Sequence, residues 1–175
     1  RDLSGYLDST FCALQAFVPA LTGGAQIVVF TSDAGTRPEP GWSIYGAIRA
    51  AQGFLVQAVA LEHASSDIAI NVIATKNAVG PGFPFVPPGT VTDSSVERGA
   101  WTDALEAETP LKRLGTMTEL AAFASVLLDG RNRFQTAQIF SYSGGWNVAR
   151  GGLDPEAPLR RVVYPMPATG PPDAT

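Results

Sequence analysis

Apolar and polar positions follow two different periods along this chain, and they predict helices and buried strands in alternation. In residues 4–21, apolar side chains recur about every 3.6 residues, which predicts an amphipathic helix. Residues 25–32, AQIVVFTS, form a short apolar run that is typical of a strand buried on both faces of a parallel sheet. A long helical pattern covers residues 43–63, and IAINVIA at 68–74 is the next predicted buried strand.

The succession of strand, helix and strand predicts a right-handed βαβ unit, because parallel neighbouring strands need a crossover connection of this kind. Two more helices are predicted over residues 95–107 and 116–130, and a last strand over 137–146. Thr116 and Glu119 have the spacing of a capping box. Only three convincing strands result, which makes a thin sheet. We therefore interpret the fold class as α/β, with the chain forming the C-terminal part of a larger, doubly wound parallel sheet.

The same pattern predicts the domain organisation. Residues 1–149 are expected to form one packed unit, whereas residues 150–175 are rich in proline and aperiodic, and are expected to form an extended C-terminal tail. Hydrophobic residues make up 45% of the chain and charged residues only 16%. This composition suits one domain with a sizeable core.

Composition also excludes several classes of function. The formal net charge of −4 argues against non-specific nucleic-acid binding, which needs a basic face. No apolar run in the pattern approaches the roughly 20 residues of a membrane span, so we expect no membrane contact. Cys12 and His63 are the single cysteine and the single histidine. We therefore expect no disulfide and no metal site, and a cytoplasmic location.

Candidate chemistry lies where the first strand ends. Ser32 closes that strand, Tyr45 follows near the start of the long helix, and Arg49 comes four residues later. Residues four apart lie on one face of a helix, so the phenol and the guanidinium can both point back toward the strand ends. Sites in open α/β sheets form beyond these carboxyl ends, and the three side chains can therefore converge there.

A phenol beside a guanidinium can act as a base. Free tyrosine has a pKa of about 10, and a positive charge within about 4–6 Å can lower that value by roughly 1–3 units. Tyr45 next to Arg49 is thus a candidate general base for a hydroxyl proton. Ser32 has no histidine partner, so it is interpreted as a hydrogen-bond donor to the substrate and not as a nucleophile. The spacing alone leaves open that Tyr45 and Arg49 are an ordinary surface pair.

The spacing of these residues resembles the site of the short-chain dehydrogenase/reductase family, in which a lysine stands at the place of Arg49. Three further segments resemble the family: DIAINVIA, PLKRLGTMTELAAFASVLLDG and QIFSYSGGW. The resemblance covers about residues 1–147 and implies a Rossmann-like doubly wound parallel sheet. Two departures, Arg49 and the Thr75-Lys76 pair in place of a Pro-Gly turn, resemble the halohydrin dehalogenases, which are cofactor-free members of this superfamily.

That second resemblance implies a carbon–halogen lyase without any redox cofactor. It would convert vicinal haloalcohols to epoxides and halide, and would open epoxides with small anions in reverse. Ser32 would orient the substrate oxygen, Tyr45 would remove the hydroxyl proton, and Arg49 would keep Tyr45 acidic. The expected halide or nucleophile site consists of Thr75, Lys76, Asn77 and Ala78. The expected substrate pocket consists of Trp42, Phe83 and Phe85.

The resemblance also implies a homotetramer that is assembled through the two long helices. Two other functions stay open from the sequence. One is an NAD(P)-dependent short-chain oxidoreductase in which arginine replaces the family lysine. The other is a catalytically inactive member of the same fold that binds a small ligand and acts as a regulator.

Overall fold

The computed structural model describes residues 5–79 and 96–149. Its helices and strands follow one another in chain order: α1 (Gly5–Phe17), β1 (Gln26–Ser32), α2 (Ser43–His63), β2 (Ala69–Thr75), β3 (Ala78–Val79), α3 (Val96–Glu108), β4 (Gly115–Thr116), α4 (Met117–Leu128) and β5 (Ile139–Tyr142). The predicted tail at 150–175 lies outside the described residues, so the boundary at residue 149 stays a prediction.

A parallel sheet with strand order β1-β2-β5 forms the centre of the fold. Strand β2 lies in the middle, where Val72 pairs with Val29 of β1 and with Ile139 of β5. Helix α2 leads from β1 to its parallel neighbour β2, as the predicted βαβ unit requires. The predicted α/β class is therefore confirmed.

Helices cover both faces of β2, which explains why its sequence is apolar without alternation. Ile70 and Val72 point into a core that α1 and α2 complete. Ile73, whose side chain points to the opposite face, packs into a second cluster with α4. All three side chains are fully buried. Alternate residues of β2 thus pack against helices on opposite faces of the sheet. The sheet is therefore doubly wound, as expected.

Helix α2 begins at Ser43 and ends at His63, as the periodicity predicts. Together with the turn that follows it, the helix is long and apolar enough to cross a membrane by length and composition alone, with a mean hydropathy of 1.3 over an 18-residue window within Ser43–Ser66. The sequence pattern did not predict this. The helix packs against α1, β1 and β2. A helix that covers a sheet passes the same test, so the observation is weak evidence for a span.

Three local features differ from or refine the prediction. Helix α1 ends at Phe17, because Pro19 lies in the short 3₁₀ turn Val18–Ala20 that replaces its predicted last turn. The two-residue strands β3 and β4 pair in parallel, and such short strands leave no periodicity to find. The capping box is confirmed, since Thr116 Oγ1 accepts from the Glu119 amide and the Glu119 carboxylate accepts from the Thr116 amide.

Candidate active site

Ser32 lies at the carboxyl end of β1, opposite Thr75 at the end of β2. Its Oγ accepts a hydrogen bond of 3.2 Å from the Ala34 amide and so caps the short turn Asp33–Gly35. Because this bond uses the oxygen as an acceptor, the hydroxyl proton stays available for donation. The half-buried side chain is therefore oriented by its own backbone turn and suits a hydrogen bond to a ligand oxygen.

The turn after β1 packs directly on α2. A Cβ added at Gly35 would lie 2.6 Å from the backbone of Arg49, and one added at Gly46 would lie 2.6 Å from the carbonyl oxygen of Ala34. These distances are too short for any side chain. The two glycines thus let the turn that follows Ser32 lie against the helix segment that carries Tyr45.

Aromatic rings surround the predicted base and its cation. The Tyr45 ring meets Trp42 edge-on at 5.4 Å and Tyr6 at 6.0 Å between ring centroids. The Arg49 guanidinium carbon lies 3.8 Å from the centroid of the Tyr6 ring and 5.1 Å from that of Tyr45. Such distances allow cation–π attraction. The structure therefore holds the guanidinium beside the phenol ring.

Two groups at this site keep unused hydrogen-bonding capacity. Arg49 Nε is buried and has no hydrogen-bond partner in the described part of the chain. The Tyr45 hydroxyl likewise makes no hydrogen bond to residues 5–79 or 96–149. A buried donor without a partner is costly unless a ligand or water satisfies it. A ligand with oxygen atoms fits this arrangement.

The strand-end loop that was predicted to bind halide has its donors engaged. Thr75 Oγ1 donates to the Thr31 carbonyl at 3.2 Å, and the Lys76 amide donates to the Tyr142 carbonyl at 3.1 Å. The Asn77 amide nitrogen donates to Thr109 at 2.9 Å from a buried position. Ala78 begins β3. The predicted halide site stays a prediction, and these contacts leave few free donors in the loop.

The Lys76 ammonium forms a partly buried ion pair with Glu39, at 2.9 Å between Nζ and Oε2. It also lies 4.4 Å from the ring centroid of Trp146, while Arg37 lies 4.5 Å from that ring. The buried Trp146 indole donates to Glu108. One tryptophan therefore links the connections that follow β1, β2 and β5.

Sequence reasoning missed this Trp146 cluster and a buried carboxylate next to Ser32. Asp33 is fully buried, accepts a 2.8 Å bond from Thr36 Oγ1 and also accepts from Ser141 Oγ. A polar residue directly after a strand-end serine was the available signal for Asp33. Of the predicted pocket residues, Trp42 packs on Tyr45 as described above, whereas Phe83 and Phe85 lie outside the described residues.

Comparison with known proteins identifies the family to which the chain belongs. A family model described as enoyl-(acyl carrier protein) reductase matches residues 3–147. The short-chain dehydrogenase/reductase SDRA of Arabidopsis thaliana is 32% identical over 138 residues, which cover 78% of this chain and 50% of that protein. The chain belongs to the short-chain dehydrogenase/reductase family.

A second relative within the family, a tropinone reductase homolog of Arabidopsis thaliana, is 29% identical over 148 residues, which cover 83% of the chain. The chain spans about half the length of these curated relatives, 50% and 53% respectively. The short-chain dehydrogenase/reductase resemblance seen in the sequence is thus confirmed for the part of the family's length that the chain covers.

Solved structures show the same fold. L-sorbose reductase of Gluconobacter frateurii, complexed with NADPH and L-sorbose, is similar with a TM-score of 0.73 and 21% identity, over 83% of this chain and 56% of that one. A protein described as a dehalogenation enzyme is similar with a TM-score of 0.67 and 24% identity, over 83% and 60% respectively. At these identities the likeness shows the fold alone.

The predicted cofactor-independent lyase is wrong. The relatives are named dehydrogenases, reductases and oxidoreductases, among them an oxidoreductase of Escherichia coli that is 32% identical over 133 residues. The dehalogenase resemblance depended on Arg49 and the Thr75-Lys76 pair. The similarity to named oxidoreductases extends over most of the chain, and it outweighs a resemblance that depends on these two local departures.

Proposed function

We propose that this chain carries the catalytic part of an NAD(P)-dependent short-chain oxidoreductase in which Arg49 replaces the family lysine. The observation that carries the proposal is the position of the Arg49 guanidinium, 5.1 Å from the Tyr45 ring centroid in the first turns of α2. Ser32 lies at the adjoining strand end. The substrate is proposed to be a carbonyl compound or the corresponding alcohol.

A nicotinamide cofactor, when bound, supplies or accepts the hydride. The residues of this chain handle the oxygen and its proton. Ser32 donates a hydrogen bond to the substrate oxygen, which its backbone turn leaves it free to do. Tyr45 gives a proton to that oxygen during reduction and takes it back during oxidation.

The Arg49 guanidinium lies 5.1 Å from the Tyr45 ring centroid, so its positive charge can stabilise negative charge that develops during proton transfer. Its unpartnered Nε is a donor that suits a hydroxyl of the cofactor ribose, the group that the lysine of this family holds. The contacts of the loop at Thr75–Ala78 also fit this proposal, since the Thr75 hydroxyl and the Asn77 amide already donate to other residues. A guanidinium can therefore fill both roles of the family lysine.

Cofactor binding and turnover test the proposal on the full-length protein. NADPH and NADH are titrated while cofactor fluorescence is followed, and then carbonyl-dependent loss of absorbance at the reduced nicotinamide band is measured over a panel of ketones. Binding with turnover supports the proposal. Failure to bind either cofactor overturns it, and so does cofactor-free release of halide from a haloalcohol.

We also propose that the protein is a cytoplasmic homotetramer. Outward-facing residues of α1 and α2 include large exposed apolar side chains, namely Phe11, Phe17, Ile44, Phe54 and Leu61. An apolar surface of this kind marks an interface between protein molecules. Cys12, exposed on α1, suits a reducing compartment.

A further inference from the structure

Gln52 lies one turn after Arg49 on α2, and its side chain is almost fully buried, with 4% of the residue exposed. Its Oε1 accepts hydrogen bonds of 2.9 Å from Arg49 Nη1 and of 2.9 Å from Thr31 Oγ1. Its Nε2 donates a 2.7 Å bond to Thr10 Oγ1. One amide thus connects the guanidinium to β1 and to α1.

The orientation of this amide is forced by its partners. A guanidinium has donors only, so the Gln52 oxygen must face Arg49 and the nitrogen must face Thr10. Thr10 Oγ1 in turn donates to the Tyr6 carbonyl at 3.0 Å, which leaves it an acceptor for the amide. Because the Gln52 amide bonds to three different side chains, its rotation would break several bonds at once.

Arg49 itself has few other anchors. One face of its guanidinium lies on Tyr6, and its Nε has no partner within the described residues. Arginine has a long side chain with many rotamers, and its planar head donates only in the directions that its plane allows. A lysine ammonium rotates its three donors freely and needs no such plane. An arginine at this place therefore needs a second residue that fixes its plane.

We propose that Gln52 is a positioning residue for Arg49, and that it sets the guanidinium plane beside Tyr45 without cancelling its charge. This inference rests on the proposed oxidoreductase function. A carboxylate at position 52 would also accept the bond from Nη1, but it would neutralise the cation that Tyr45 needs. The neutral amide orients the charge and leaves it intact.

The first test compares Gln52→Leu with Gln57→Leu in the full-length protein. Gln57 lies on the same helix, is half-buried and donates a 2.9 Å bond to the Ala137 carbonyl, away from Arg49. We expect Gln52→Leu to lower kcat about 10- to 100-fold through a displaced catalytic group, with KM for the carbonyl substrate little changed. Gln57→Leu should leave both unchanged, and equal effects of the two variants would overturn the proposal.

Two further variants guard against a folding defect in Gln52→Leu. Gln52→Glu keeps the shape and the acceptor but adds a negative charge beside the Arg49 guanidinium, and it too should lower kcat. In an Arg49→Lys background, Gln52→Leu should lose most of its effect on kcat, because the bond to the guanidinium no longer exists. If Gln52→Leu lowers kcat as much in the Arg49→Lys background as in the unmodified protein, the positioning role is contradicted.

A readout without turnover separates this inference from the proposed function. The Arg49 Nε–H resonance should be shifted upfield by the Tyr6 ring in the unmodified protein. Gln52→Leu should move it toward the value of a free arginine, and Gln57→Leu should not. If the protein shows no oxidoreductase activity, the proposed function fails while this resonance still decides the position of Arg49. An unmoved resonance in Gln52→Leu overturns the inference.

Discussion

The Tyr45 ring packs against its neighbours, whereas its hydroxyl is proposed to take part in the reaction. A substitution can separate these two roles. Tyr45→Phe keeps the edge contacts to Tyr6 and Trp42 but removes the hydroxyl that is proposed to transfer the proton. We expect kcat to fall about 10²- to 10⁴-fold, with the thermal midpoint nearly unchanged. Steady-state kinetics and a thermal melt measure the two effects.

Tyr142→Phe is the matched control for this substitution. The Tyr142 hydroxyl donates only a long 3.4 Å bond to the Thr116 carbonyl, and burial raises the pKa of this phenol above its ordinary value of 10.0. It therefore stays protonated at neutral pH and is not expected to transfer protons. A large loss of kcat in Tyr142→Phe, or none in Tyr45→Phe, would contradict the assignment of the base.

For the individual residues of the candidate site, the sequence predicts those positions that depend on short spacing along the chain. Tyr45 and Arg49 share a helix face because they are four residues apart, and Ser32 lies at the carboxyl end of β1 because the buried apolar run ends there. The partners of Gln52, by contrast, come from positions 10 and 31. Contacts between residues so far apart in the chain depend on the tertiary fold, and no local pattern encodes them.

Among the elements, α4 offers a direct test of local stability. Thr116→Ala removes the hydroxyl that accepts from the Glu119 amide at the start of the helix. Loss of an N-cap of this type should cost about 1 kcal/mol of the free energy of unfolding, measured by urea denaturation at pH 7. The control Thr118→Ala alters an exposed threonine two residues later in the same helix, and should cost little. Equal costs would show that the cap contributes nothing.

The same helix start should make stability depend on pH. The Arg113 guanidinium, followed by the Thr116 backbone and hydroxyl, lowers the pKa of Glu119 from an ordinary 4.5 to about 2. A lowered folded-state pKa stabilises the protein above the unfolded value and loses this contribution as pH falls. The thermal midpoint of the natural protein should therefore exceed that of Glu119→Gln at pH 7, with the gap closing between pH 4.5 and 2. A gap independent of pH would refute this.

Long periodic elements were predictable, whereas short and interrupted ones were not. The 21 residues of α2 show enough turns for the period to fix both ends. Strands β3 and β4 have two residues each and exist only because Ala78 and Gly115 are brought together by the fold. Helix α1 ends at the turn that contains Pro19. The apolar period alone predicted a longer helix, because it continues through this turn.

For the whole molecule, the exposed apolar faces of α1 and α2 predict assembly. Phe54 on α2 is 75% exposed, which is unfavourable for so large an apolar side chain in water. If the proposed tetramer is assembled through this face, Phe54→Glu is expected to convert it into a smaller species, as measured by size-exclusion chromatography with light scattering. Phe134→Glu serves as the control, since Phe134 is 99% exposed and lies after α4, outside both helices. An unchanged mass in Phe54→Glu would place the interface elsewhere.

The Trp146 indole couples the connections that follow the three strands of the central sheet. Lys76 and Arg37 both lie against its ring, and Glu108 accepts from its nitrogen, so four segments share one anchor. A ligand that displaced any one of these segments would also have to disturb the contacts of the others. Because Arg37, Lys76 and Trp146 each follow a different strand of the central sheet, we expect these three connections to move together or not at all.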